Sequence, residues 1–191
     1  MSSQQSFFNL ENLVYEYLTH LEYPEIREFC SSDLHIFSLC KQVPQIWSLI
    51  EKKRIKYKTD LFLSTCEPIH VLNRACMKGD VEIVNELIKR GYDPNLAPKL
   101  PGESDPIIYP LGYAAIFGHL PVVNRLLQDN RVDPTALSNN AIANASSNKK
   151  IEVIRRLLQD FRIRKSLSPK KLENYKNQVG GYIFPPPTGF H

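Results

Sequence analysis

The stretch LGYAAIFGHLPVVNRLLQ at residues 111–128 decides the fold, because the chain writes its pattern three times. Upstream the same pattern reads LNRACMKGDVEIVNELIK at 72–89, and downstream it reads IANASSNKKIEVIRRLLQ at 142–159. Spacings in this range mark stacked helical units rather than one closed core. Each copy opens with a large apolar residue and sets a small one three positions on: Leu72 with Ala75, Leu111 with Ala114, Ile142 with Ala145. Such a pair shares one helical face, where the small side chain lets a neighbouring helix come close. Gly79 and Gly118 then end the first helix, since glycine takes a positive φ without steric penalty.

The second helix of each unit carries a broad apolar stripe: Val81, Ile83, Val84, Leu87 and Ile88, matched by Leu120, Val122, Val123, Leu126 and Leu127, and by Ile151, Val153, Ile154, Leu157 and Leu158. A stripe that wide needs two neighbours to cover it. Asp93-Pro94 and Asp133-Pro134 follow, where proline stops helical geometry and aspartate favours a turn. One unit therefore reads helix, tight turn, helix, turn.

These residues resemble the ankyrin repeat, in which an apolar residue is followed by two small ones, Gly-His, Leu-Glu-Val-Val and paired leucines. Ala114-Ala115, Gly118-His119 and Leu126-Leu127 carry the match. The ending Asp-Asn-Arg-Val-Asp-Pro at 129–134 is similar to repeats common in large DNA viruses of amoebae and found in some protists. Three departures stand out: the opening Thr-Pro is absent, Lys149-Lys150 replaces Gly-His, and residues 96–109 lengthen the link between the first two units. The resemblance spans roughly 68–165 and implies an all-α fold, a short ankyrin-repeat solenoid of about three helix-turn-helix repeats. It also implies a protein target on a concave face lined by the pair before each turn. Here those pairs are Met77-Lys78, Ile116-Phe117 and Ser147-Asn148, with Tyr109 and Tyr113 beside them. Ile116-Phe117 would be an apolar anchor of the kind that carries binding energy; packing of Phe117 under the insertion at 96–109 is the competing assignment.

Residues 7–58 do not follow the repeat pattern. Leu10, Leu13, Val14, Tyr17, Leu18 and Leu21 recur at helical spacing, Tyr23-Pro24-Glu25 opens a second helix, Asp33 can cap a third, and Pro44 opens a fourth carrying Ile46, Trp47 and Ile50. The order of a leucine-rich helix, a proline break, Phe29-Cys30, Leu39-Cys40 and Trp47 resembles the F-box. That resemblance implies docking on the adaptor subunit of a cullin-RING ubiquitin ligase through Leu10, Leu13, Tyr23, Pro24 and Ile26. The family's opening Leu-Pro is replaced by Asn9-Leu10. The alternative is a plain ankyrin-repeat binding or decoy protein whose first helices only cap the solenoid. The expected plan is an F-box-like module at 1–60, repeats at 61–179 closed by a helix beginning at Ser168-Pro169, and a proline-rich tail at 180–191.

Composition narrows the function further. The excess of four positive charges is mild, and the basic clusters at 52–58 and 155–171 read as solvated faces, with contact to a nucleic acid or another anion as the lesser reading. Cys30, Cys40, Cys66 and Cys76 form no Cys-x-x-Cys pair and lack metal-ligand spacing with the histidines. Free, buried thiols are expected at Cys30 and Cys76, which suits a reducing compartment. The start Met-Ser-Ser-Gln-Gln-Ser has no leader pattern and no run approaches a membrane span. An intracellular, cytoplasmic monomer is expected, in host cytoplasm if the chain is viral. No phosphate loop, nucleophile with a matched base or carboxylate pair stands in a recognisable context, so no catalytic residue, metal or cofactor is expected.

Overall fold

A computed structural model describes residues 3–32, 34–95 and 108–181. These residues form twelve helices and no strand. The chain divides into two compact units, residues 1–65 and 66–191. The capping role expected of Asp33, most of the insertion and the tail from 182 onward lie outside the described residues.

The first unit contains α1 (Ser3–His20), α2 (Tyr23–Ser32), α3 (Leu34–Gln42) and α4 (Pro44–Leu63). Pro44 sits in the first turn of α4, where its missing N–H costs no helical hydrogen bond. α4 packs against the other three helices, and Val14, Leu18, Ile26, Cys40, Val43, Ile46 and Ile50 form the core between them. The stripe expected on α1 divides: Val14 and Leu18 are buried, whereas Leu13 and Tyr17 are 63% and 51% exposed. Lys53 on α4 donates to the carbonyl oxygens of Thr19, at 2.8 Å, and Leu21. Those carbonyls lie at the end of α1, where helical partners run out. The basic run at 52–58 is therefore not wholly a solvated face. The expected boundary at residue 60 falls within α4.

The second unit alternates α5 (Pro68–Lys78) with α6 (Val81–Lys89), α7 (Pro110–Phe117) with α8 (Leu120–Leu127), and α9 (Ala136–Ser147) with α10 (Ile151–Gln159), followed by α11 (Phe161–Ser166) and α12 (Pro169–Gln178). The first helices pack in order, α5 on α7 and α7 on α9, and the second helices do the same, α6 on α8 and α8 on α10. α11 and α12 pack on α10. Ala75, Ala114 and Ala145 are buried in the first layer, as their small size between adjacent helices requires. The stripe on the second helices is narrower than its spacing suggests. Val81 and Leu120 are half-buried and Ile151 is exposed, because the first residue of each second helix sits at the turn.

The same two hydrogen bonds build that turn in all three repeats. The N–H of Asp80, His119 and Lys150 bonds to the carbonyl of the small residue five positions earlier: Ala75 at 3.0 Å, Ala114 at 2.9 Å and Ala145 at 2.9 Å. Each of these three residues has φ between −75° and −85° and ψ of 74° to 77°, an inverse γ-turn. It is closed by the next N–H bonding back across it, Val81 to Gly79 at 2.9 Å, Leu120 to Gly118 at 3.0 Å and Ile151 to Lys149 at 3.1 Å. The residue before the γ-turn must be left-handed, and Gly79 (φ 78°), Gly118 (φ 82°) and Lys149 (φ 54°) all comply. Replacing Gly with Lys149 changes the residue and keeps the turn.

The entries to the repeats differ more. Pro68 and Pro110 start α5 and α7, so the missing Thr-Pro motif still leaves a proline at two helix starts. α9 has none; its chain enters through Leu137, Ser138 and Asn139, all left-handed at φ 51°, 58° and 68°. Asn139 is buried and held by the Ser166 hydroxyl at 2.7 Å. The Asp-Pro pairs form side-chain turns as expected: Asp93 accepts from the N–H of Asn95 at 2.9 Å and Asp133 from that of Thr135 at 2.8 Å.

Candidate functional site

The ends of α5, α7 and α9, immediately before the three left-handed residues, carry the side chains expected to meet a partner. Met77 (38% exposed) and Lys78 end α5, Phe117 (45% exposed) ends α7, and exposed Ser147 and Asn148 end α9. Successive packing of these helices sets the ends in one row. Tyr109, Tyr113 and Ile116 are half-buried, so of the expected Ile116-Phe117 anchor it is Phe117 that stands out most.

His119 ties this row together. Its Nε2 lies 3.0 Å from the Met77 carbonyl oxygen, and a carbonyl only accepts, so Nε2–H is the donor. The ring also stacks on Phe117, with centroids 6.3 Å apart and planes 21° from parallel. On the other side it covers Gly79 so closely that a Cβ there would stand 2.6 Å from Nδ1. Gly79 thus serves twice, for its positive φ and for its missing side chain. Lys150 repeats the arrangement one unit on, its Cδ lying 2.7 Å from where a Cβ on Gly118 would be. His119 was not among the candidate residues; its signal lay in the Gly-His pair, which pointed to a family and said nothing of a contact.

Two sets of arginines lock each repeat to the one before it. Arg125 donates from Nε to Asn85 Oδ1, and Arg156 does the same to Asn124 Oδ1 at 2.7 Å. At the far turns, Arg131 donates to the Gly91 carbonyl at 3.3 Å and Arg162 to the Val132 carbonyl at 3.0 Å. Both of these guanidiniums are oriented by an aspartate two residues earlier, Arg131 by Asp129 and Arg162 by Asp160, each pair at 2.7 Å. The hydrogen bond from Arg131 holds the Asp129 carboxyl below its ordinary range. Burial pushes the Asp160 carboxyl upward, but the bonds from Arg162 outweigh it and the net shift is downward. Arg164 donates to the carbonyls of Leu158 and Gln159 at 2.6 and 2.8 Å. The basic cluster at 155–171, expected as a solvated face, is therefore largely structural.

The match to known families now has a geometry behind it. The family model for ankyrin repeats matches residues 72–167 in three copies, just over half of the chain. The chain belongs to the ankyrin-repeat family. Comparison with the curated proteins and with the solved structures gives no match. Ankyrin repeats are typically non-catalytic modules that bind other proteins.

In the first unit the expected contact residues are dispersed by burial. Leu13 and Pro24 are exposed and Tyr23 is half-buried, while the side chain of Leu10 lies outside the described ones. Ile26 is fully buried in the core. Its expected place in a contact is corrected accordingly: it supports α2 from within. The thiols divide too. Cys40 and Cys76 are buried, and burial pushes the Cys76 thiol far up; Cys30, expected to be buried, is half-exposed and Cys66 is exposed. No helix among the described residues is long and apolar enough to cross a membrane.

Proposed function

We propose that this ankyrin-repeat protein is an adaptor that captures a protein target along the row of Met77, His119, Phe117, Ser147 and Asn148, and presents it to a cullin-RING ubiquitin ligase docked on the first unit. The first half rests on one observation: the exposed Phe117 ring stacks on His119, which is itself anchored to the backbone carbonyl of Met77. Side chains already held in place lose less freedom on binding, and an aromatic anchor contributes more than its neighbours. Lys78 adds a positive charge at the same end of the row.

The ligase half is supported by the F-box-like order of residues within 7–58 and by Leu13 and Tyr17, exposed one turn apart on α1 ahead of the break at Pro24. Leu13, Tyr23 and Pro24 are the residues assigned to that contact. The mechanism is proximity alone. Holding a target beside an activated ubiquitin raises its effective concentration, so the chain needs no chemistry of its own.

Affinity capture with wild-type chain and with Phe117→Ser tests the row. Partners held by the wild type are expected to weaken at least about tenfold with the variant, while the lost stack on His119 lowers the melting temperature only slightly, since Phe117 is nearly half exposed. Retention of every partner by Phe117→Ser contradicts the row. Purified ligase adaptor subunit is expected to bind wild type and to lose Leu13→Asp. Absence of binding, or binding indifferent to Leu13→Asp, removes the ligase half and leaves a plain ankyrin-repeat binding protein.

A further inference from the structure

Cys30 on α2 and Cys40 on α3 point at one another, their sulfurs 2.6 Å apart. A disulfide requires about 2.05 Å between sulfurs, so closing the bond asks for a small displacement of two side chains. The two residues belong to neighbouring, mutually packed helices, and both thiols are free. They also have access to reagents. Cys30 and Cys40 border an open cavity of about 320 Å³ whose wall includes Tyr23, Ile26, Trp47 and Ile50. Cys40 itself is only 2% exposed, which makes half-exposed Cys30 the sulfur that an incoming molecule meets first.

We propose that Cys30 and Cys40 are a reversible dithiol–disulfide site that exchanges with small disulfides such as oxidised glutathione and staples α2 to α3. Cys30 loses its proton to solvent and attacks one sulfur of oxidised glutathione; the S–S bond breaks and one glutathione thiolate leaves, taking up a proton. Cys40, deprotonated in turn, attacks the Cys30 sulfur of the mixed disulfide and expels the second glutathione thiolate, which is protonated likewise. Two protein thiols are oxidised to one disulfide, and one oxidised glutathione is reduced to two glutathiones. Burial and the hydrogen bond to Cys40 push the Cys30 thiol up to about 12, so its thiolate is scarce near neutral pH and exchange accelerates as pH rises. Once formed, the cross-link shortens the free loop of the unfolded chain between α2 and α3 and fixes one wall of the cavity beside Trp47.

The test uses the full chain carrying Cys66→Ser, equilibrated in glutathione buffers of rising oxidised fraction, then alkylated and mapped by mass spectrometry. Cys30 and Cys40 are expected to leave the alkylatable pool together and to yield one cross-linked peptide, reversibly on addition of dithiothreitol. The rate should rise about tenfold per pH unit between roughly pH 7 and 9, following the thiolate fraction. Emission from Trp47, the only tryptophan, should fall in step, because a disulfide quenches a neighbouring indole. Cys40→Ser should stop at the glutathione adduct on Cys30. Alkylation of both thiols in fully oxidised buffer at high pH, or a wild-type product that stays as the Cys30 adduct without a cross-link, overturns the proposal.

Discussion

The junction between the first and second repeats and the junction between the second and third share their arginine contacts and differ in what covers the glycine of the turn. An imidazole covers Gly79 at the first, and the aliphatic stem of Lys150 covers Gly118 at the second. Arg125 reaches Asn85 at one and Arg156 reaches Asn124 at the other; Arg131 and Arg162 reach back to the carbonyls of Gly91 and Val132. What recurs is a set of positions. A site empty of side chain must receive something flat or thin from the next repeat, and an oriented guanidinium must find an acceptor one repeat back. The cover over the glycine can therefore change identity while the turn keeps its geometry, whereas the arginine contacts use the same residue types, Arg with Asn and Arg with Asp, at both junctions.

The largest expected effect tests what both junctions share. Ala114 is fully buried on α7, which packs on α5 and α9 alike, so Ala114→Asp places an uncompensated charge against both neighbours. A loss of roughly 4 kcal/mol is expected in urea unfolding, and an unchanged midpoint would break the stacked arrangement. Next comes a pair of glycines that separates close approach from backbone conformation. Gly79 and Gly91 both have positive φ, yet a Cβ at Gly79 would strike His119 while nothing lies within 4 Å of one at Gly91. Gly79→Ala should cost about 2–3 kcal/mol and Gly91→Ala about 1 kcal/mol; equal costs would remove the close-approach argument.

The far turns give a smaller effect and a pH dependence. Arg162→Ala is expected to cost about 1–2 kcal/mol and the more exposed Arg131→Ala about 0.5–1 kcal/mol, through lost hydrogen bonds to the preceding repeat. Asp129 and Asp160 both titrate below their ordinary range in the folded chain. Their contribution is therefore complete above the unfolded carboxylate value of about 4 and is lost as pH falls through the lower folded values. Urea midpoints measured from pH 6 downward should fall less steeply in Arg162→Ala than in wild type, and parallel slopes would contradict the pairing. The smallest effect has the opposite sign. Lys149 holds the left-handed position that glycine fills in the other repeats, so Lys149→Gly should stabilise by up to about 1 kcal/mol, measured by the same midpoint.

Much of this array was legible in the sequence because large residues repeat with the period of the fold. Leu72, Leu111 and Ile142, with Ala75, Ala114 and Ala145, mark the first layer, and Gly79 and Gly118 mark the turns. The arginine contacts were harder to see. Asp160-Phe161-Arg162 echoes Asp129-Asn130-Arg131, but two polar residues in a turn leave no periodic trace, and their acceptors are backbone carbonyls that no side chain advertises. The left-handed entry at Leu137 to Asn139 was similarly hidden, since only Asn139 is a residue type with any tendency toward positive φ. In the first unit the spacing correctly placed Leu13, Val14, Tyr17 and Leu18 on one helix without saying which of them faces the core. The answer, Val14 and Leu18, comes from the helices packed against them. The candidate site was half legible for the same reason: exposure of Met77 and Phe117 follows from the turn, whereas their connection through His119 depends on how consecutive repeats stack.

Consecutive repeats lie directly upon one another at their tight turns, and nuclear Overhauser effects measure that contact. Stacked repeats predict cross-peaks between the His119 ring protons and the Gly79 α-protons, and between the Lys150 side-chain methylenes and the Gly118 α-protons. A fully assigned spectrum of the folded chain in which both sets are missing would contradict the stack.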